Sequence, residues 1–177
     1  MNDIAPAGAS LPGKAVSESE VTFARSMTQL DANVLGTVHG GVIMKEVDEA
    51  AGLAASRHSG NVCVTAAIDE LSFLEPVHVG DVLIVHAAVN AVGTTSIEVG
   101  VRVEAETWLT AERRHTTSAF LVMVALDREG NPAEVPPLIT ETTEQRRREA
   151  QAGIRRGLRM ERIERLGSYR PEPGEPE

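Results

Sequence analysis

An amide side chain, Asn33, and a carboxylate, Asp48, stand fifteen positions apart in this chain, with His39, Gly40 and Gly41 between them. A carboxylate takes a proton from water or attacks an electrophilic carbon, and an amide orients a water or a carbonyl. The first turn of a helix exposes backbone N–H groups and the positive end of its dipole, and paired glycines let a ligand approach those groups closely. Together these parts suit attack on a polarised carbonyl such as an ester or thioester.

Each residue also has a purely structural reading. On a helical wheel Ile43, Met44, Val47, Ala50, Ala51, Ala54 and Ala55 share one arc, and Asp48 sits at its margin beside Met44, Gly52 and Ala55. There it is either a partly desolvated base or nucleophile, or an ordinary boundary aspartate. Asn33 either donates to a substrate or turns its own backbone. His39 is a helix cap or a ligand contact, and Gly40 with Gly41 forms an oxyanion site or simply a tight strand-to-helix turn.

The elements that must hold these residues follow from periodicity. Residues 1–19, rich in Ala, Pro, Gly and Ser, read as a flexible arm. Alternation from Val21 to about Gln29 predicts a strand, and Gly41 to His58 predicts a helix whose buried face is unusually small at Ala50, Ala51, Gly52, Ala54 and Ala55. Ser59, Gly60 and Asn61 end it. Strands are then expected at Val62 to Phe73, Val82 to Val92, Ser96 to Trp108 and Thr116 to Leu126. In the third of these, Ile97, Val99, Val101, Val103 and Ala105 form one apolar face. Strand, long helix and four successive strands favour an α+β fold, an antiparallel sheet curled around one central helix.

Pro136 and Pro137 close this domain, taken as residues 20–138. Beyond it, residues 139–177 contain a helical stretch from Thr140 to Leu166 carrying Arg146, Arg147, Arg148, Arg155, Arg156, Arg159, Arg162 and Arg165, then a disordered tail from Pro171. The arginine run reads as a solvated helix or a partner-contacting tail, with a ligand-facing role as the sharper alternative.

Composition narrows the function. A net charge of −9 and five aromatic residues argue against a nucleic-acid surface, which needs basic and stacking groups. Cys63 is the only cysteine and the five histidines are dispersed, so neither an intrachain disulfide nor a metal centre is expected. There is no apolar run of membrane-spanning length and no secretory leader pattern, which makes a cytoplasmic protein the default.

The stretch from Leu30 to Lys45, with Val47-Asp48-Glu49-Ala50-Ala51-Gly52, resembles the hotdog-fold acyl-CoA thioesterases of the cytosolic acyl-CoA hydrolase type. The likeness continues through Ser56-Arg57-His58, Phe73 to Asp81 and Val92 to Val99, covering about residues 20 to 135. The resemblance implies a hotdog fold, to which an extra C-terminal helix is added here. It also implies a homo-oligomer, a dimer or a trimer of dimers, with active sites between subunits. Asp48 and Asn33 would be the catalytic pair, contributed by different subunits. His39, Gly40 and Gly41 would bind the thioester oxygen, and Arg57, Thr94, Thr95 and Ser96 would contact coenzyme A. The substrate would be an acyl-CoA, with no cofactor and no metal. Two other classes share the fold, a non-catalytic acyl-CoA sensor and a dehydratase, for which His39 with Asp48 would be the acid–base pair.

Overall fold

A twenty-residue helix, α1 (Gly40–Ser59), runs through the middle of the computed structural model, which describes residues 11–168. Its start is capped by the His39 ring, and its end by Gly60, whose φ of 72° is a left-handed conformation that glycine adopts without steric cost. Ala50, Ala51, Ala54 and Ala55 are fully buried. Because these side chains are single methyl groups, the sheet approaches the helix closely along that face.

The sheet has five antiparallel strands: β2 (Val21–Ser26), β3 (Val62–Phe73), β4 (Asp81–Val92), β5 (Ser96–Thr107) and β6 (Glu112–Leu126). Their order is β2-β4-β5-β6-β3. Consecutive strands β4, β5 and β6 are neighbours joined by tight turns. The chain after α1 enters at the far edge as β3, so the helix crosses the inner face of the sheet. Ile97, Val99, Val101, Val103 and Ala105 point inward as their alternation requires, joined by Leu83 and Val85 of β4 and by Leu121 and Met123 of β6. Every buried core residue is aliphatic or Met, so closeness of packing substitutes for large aromatic area.

Two expectations need correction. The arm expected over residues 1–19 is anchored from Lys14 onward: β1 (Lys14–Ala15) pairs in parallel with β7 (Leu138–Ile139), and Val16 and Ser19 are buried. Alternation could not show this, because a two-residue strand has no period to detect. Residues 1–10 and the tail expected from Pro171 lie outside the described residues. The second concerns the arginine-rich segment, which forms α2 (Thr143–Ser168): most of it is solvated as expected, but one side of it touches the outer face of the sheet. Ala152 is buried there, Arg155 pairs with Glu98 at 2.5 Å, and its guanidinium lies 3.7 Å from the centroid of the Phe120 ring. Arg159 pairs with Asp69 on β3.

His58 also has a structural role. It is buried at the end of α1, where Nε2–H donates to the Pro136 carbonyl at 3.0 Å and ties the helix to the segment that closes the domain. Burial holds its pKa below the usual histidine value, and Nδ1 has no partner among the described residues.

Candidate active site

Asp48 lies on the flank of α1 that faces β3, solvent-exposed in the protomer, at one end of a cleft between the helix and that strand. The Thr65 hydroxyl of β3 donates to Asp48 Oδ1 at 2.5 Å. This fixes the carboxylate and leaves Oδ2 directed to other partners. Thr65 escaped the sequence reading because nothing in its own strand marks it; the contact exists only where helix and strand cross. Gly52 also changes place, since it lines this cleft and does not belong to the buried face with the alanines.

The helix entrance forms a second recess, lined by Gly40, Phe73 and Val77. His39 Nδ1 accepts the Gly41 amide proton at 2.9 Å, so of the two expected oxyanion donors Gly41 is already engaged. The Gly40 amide has no hydrogen-bond partner among the described residues. A Cβ at position 40 would come within 3.3 Å of the Phe73 ring, so a side chain would crowd the recess. Within the protomer His39 serves as the cap of α1, and among the described residues no hydrogen bond or ion pair joins it to Asp48.

Distance separates the two parts. Gly40 and Asp48 are eight residues apart on one helix, about 12 Å along its axis. An oxyanion donor and a base acting on one carbonyl must each lie within roughly 3 Å of the reacting atoms. One protomer's Gly40 and Asp48 therefore do not serve the same carbonyl.

Asn33 is occupied within its own loop. Its Oδ1 accepts the N–H groups of Leu35 at 2.8 Å and Thr37 at 3.2 Å, and its Nδ2 donates to Thr37 Oγ1 at 2.9 Å. The side chain shapes the turn that carries Val34 and Leu35 fully into solvent, and no hydrogen bond joins it to Asp48 among the described residues. The root of this loop is a charge cluster that the sequence reading missed. Buried Asp31 accepts the Thr28 N–H at 2.7 Å and Arg25 Nη2 at 2.6 Å, while Arg25 Nη1 reaches buried Glu46 of α1 at 2.6 Å. First the Thr28 N–H, then its hydroxyl and Arg25, outweigh burial and hold the Asp31 carboxyl below the usual range. The Thr28 and Asp31 spacing, typical of a capped turn, was the available signal.

The expected coenzyme A contacts lie elsewhere in the protomer. Arg57, near the end of α1, donates to the Glu20 carbonyl at 2.9 Å. The Thr94 and Thr95 carbonyls accept from Val135 and Ala125, and that of Ser96 accepts from Gly93. Thr94 and Thr95 thus lie in the turn between β4 and β5 with Ser96 opening β5, and Arg57 ties the end of α1 to the residue before β2. None of the four lines the Asp48 cleft. No group of His, Cys, Asp or Glu among the described residues has an arrangement able to hold a metal ion.

A family model described as the thioesterase superfamily matches residues 35–111. The uncharacterized acyl-CoA thioester hydrolase YkhA of Bacillus subtilis is 38% identical over 72% of this chain and 74% of its own. The cytosolic acyl coenzyme A thioester hydrolase of Rattus norvegicus is 34% identical over 89% of this chain, which spans 42% of that longer protein. Among solved structures, an apo-hexameric acyl-CoA thioesterase superposes with a TM-score of 0.84 at 38% identity, covering 86% of this chain and 98% of its own. An acyl-CoA hydrolase from Staphylococcus aureus, solved in complex with butyryl coenzyme A, coenzyme A and coenzyme A disulfide, gives 0.82 at 34% identity, covering 89% and 96%. That enzyme has also been solved with alanine replacing an aspartate, an asparagine 15 positions before it, and a threonine 17 positions after it.

Proposed function

The chain belongs to the acyl-CoA thioester hydrolases of the thioesterase superfamily, and from that premise we propose that it hydrolyses an acyl-CoA to a free acid and coenzyme A, with Asp48 as the base. The observation that carries this reading is the Asp48–Thr65 pair at the mouth of a cleft beside an unpaired strand edge. With Oδ1 held by Thr65, Oδ2 takes a proton from water as the water oxygen attacks the thioester carbon. The carbonyl oxygen gains charge against a backbone amide, the C–S bond breaks, and the departing thiolate takes up the proton. The 15- and 17-position spacings of the residues replaced in the staphylococcal enzyme equal those of Asn33, Asp48 and Thr65, which supports grouping these three.

The rest of the site comes from a second copy. Among the described residues strand β3 pairs only with β6, and it carries exposed Val62, Val64, Ile68 and Phe73. An open apolar edge of this length invites another strand. Pairing β3 with its own copy about a two-fold axis runs the strands antiparallel, so the Phe73 end of one protomer lies beside Val62 to Thr65 of the other. Gly40 of the partner subunit, under its own Phe73, then approaches Asp48, and the partner's Asn33 loop with its apolar tip comes to the same place. This removes the separation of about 12 Å along α1. A trimer of such dimers agrees with the hexameric neighbour.

No helix among the described residues is long and apolar enough to cross a membrane, and one relative is named cytosolic; a cytoplasmic location is part of the proposal. So is the absence of any cofactor, since carboxylate, water and amide complete the reaction, with coenzyme A entering as substrate. The test is thiol release from acyl-CoA by wild type, Asp48→Ala and Asn33→Ala, with the two variants also mixed after subunit exchange. Partial recovery in the mixture is expected, and turnover that survives Asp48→Ala would overturn the mechanism.

A further inference from the structure

Helix α2 is longer than the sheet it lies on. It meets the strands in the order in which the sheet holds them. Its first two turns share a recess with Ala88 and Asn90 of β4, Arg155 then reaches Glu98 of β5 and Phe120 of β6, and Arg159 reaches Asp69 of β3. Among the described residues β3 is the last strand on that side, yet residues 160–168 of the helix still follow Arg159. At the rise of an α-helix they reach about 13 Å further, more than two strand spacings.

The row of side chains turned toward the sheet continues past that edge. Ala152, Arg155, Arg159, Ile163 and Leu166 fall within an arc of about 80° on the helical wheel. Over the sheet, the Arg155 and Arg159 side chains are only 17% and 15% exposed, whereas Ile163 and Leu166, beyond it, are 54% and 68% exposed. One row thus buries its charges and bares its aliphatics, the reverse of what solvent selects. More sheet beneath the overhang would cover it, and the β3 edge is where a second copy extends the sheet. We propose that the last turns of α2 rest on the partner subunit, with Ile163 and Leu166 turned against it. This contact rests on the pairing of β3 with its own copy. Each protomer then holds the other twice, by strand edge and by a helix laid over the seam. The seam also joins Asp48 and Thr65 of one subunit to the recess of the other, so the overhang holds together the two halves of the shared site.

Thiol protection in the full oligomer tests it. Ile163→Cys and Leu166→Cys are compared with Gly157→Cys, on the opposite side of α2 from Leu166, where a Cβ would meet nothing within 4 Å. Alkylation at each position is followed by peptide mapping, which separates it from Cys63. In the oligomer, positions 163 and 166 should react at least about ten-fold more slowly than 157. Adding Ile68→Lys, which sets facing lysines at the seam, should release monomers in which all three react alike within about three-fold. Equal reactivity in the oligomer would overturn the proposal. So would protection that persists in the Ile68→Lys monomer, since the cover would then come from the same chain. An Ile68→Lys protein that remains oligomeric would defeat the β3 pairing, and this contact with it, while the hydrolase reading stands or falls separately on thiol release from acyl-CoA.

Discussion

The two long faces of the sheet's surroundings are finished in different ways. On the outer face the chain supplies part of its own cover: α2 lies against β4, Arg155 reaches Glu98 and Phe120, and Arg159 reaches Asp69. At the β3 edge no strand among the described residues provides a cover. Val62 is 70% exposed, and Asp48 stands open across the cleft from Val64 and Thr65. The outer face is joined by charge pairs within one protomer, whereas the edge exposes apolar groups and has no strand partner among the described residues. The proposed chemistry belongs to the second region and not to the first, so substitutions in the two should have separable effects.

The largest effect is expected at Asp48. Asp48→Ala should lower kcat by about 10³-fold, as for loss of a general base, with little change in melting temperature. Full loss of folding in this variant would break the comparison, because it would place stability at the edge. Ile68→Lys comes next. Ile68 is near the middle of β3, where a two-fold axis sets it close to its own copy, and facing lysines repel. Sedimentation should show monomers, and activity should fall on the order of 10²-fold as the shared site is lost. A fully active monomer would refute the shared site outright.

The two regions also differed in how readily they could be read from sequence. Strands β3 to β6 and α1 appear within a few residues of their expected bounds, because one-sided burial imposes a period of two or 3.6 on the sequence. The same logic hid the docking of α2. Its contacts, Glu98, Phe120 and Asp69, occupy outward positions that alternation marks as wet, and an arginine-rich helix looks solvated whether or not it finds carboxylates. At the site, Asn33, Gly40 and Asp48 were legible as chemistry by residue type. Their separation by about two helical turns was not drawn from the sequence, although helix geometry contains it. Thr65 and the Arg25–Asp31–Glu46 cluster depend on where elements cross, which no local pattern records.

A smaller effect tests the outer face. Arg155→Ala leaves Glu98, nearly buried, without its guanidinium, and should destabilise the fold by about 2 kcal/mol. Calorimetry should show that as a drop of roughly 4–8 °C. Thiol release should stay within about two-fold of wild type, since the contact lies on the opposite side of the sheet from Asp48. Lost turnover at an unchanged melting temperature would show that the Arg155–Glu98 pair acts on the site.

The smallest effect connects the two regions through pH. Asp31 anchors the root of the Asn33 loop, and its carboxyl ionises more readily folded than unfolded because the Thr28 N–H, and then the Thr28 hydroxyl and Arg25, hold the charged form. The unfolded chain therefore binds that proton first, so this contribution is complete above the ordinary aspartate value and is lost as pH falls below it toward the folded value. Asp31→Asn removes the titrating group and keeps its shape. Its melting temperature should lie a few degrees below wild type at pH 6, and the gap should narrow as the pH falls below about 4. A gap that stays constant with pH would mean that the amide's different hydrogen bonding, and not the lost charge, is responsible. The loop that carries Asn33 would then be held by shape alone, and the edge of the molecule would owe nothing to electrostatics that the outer face so plainly uses.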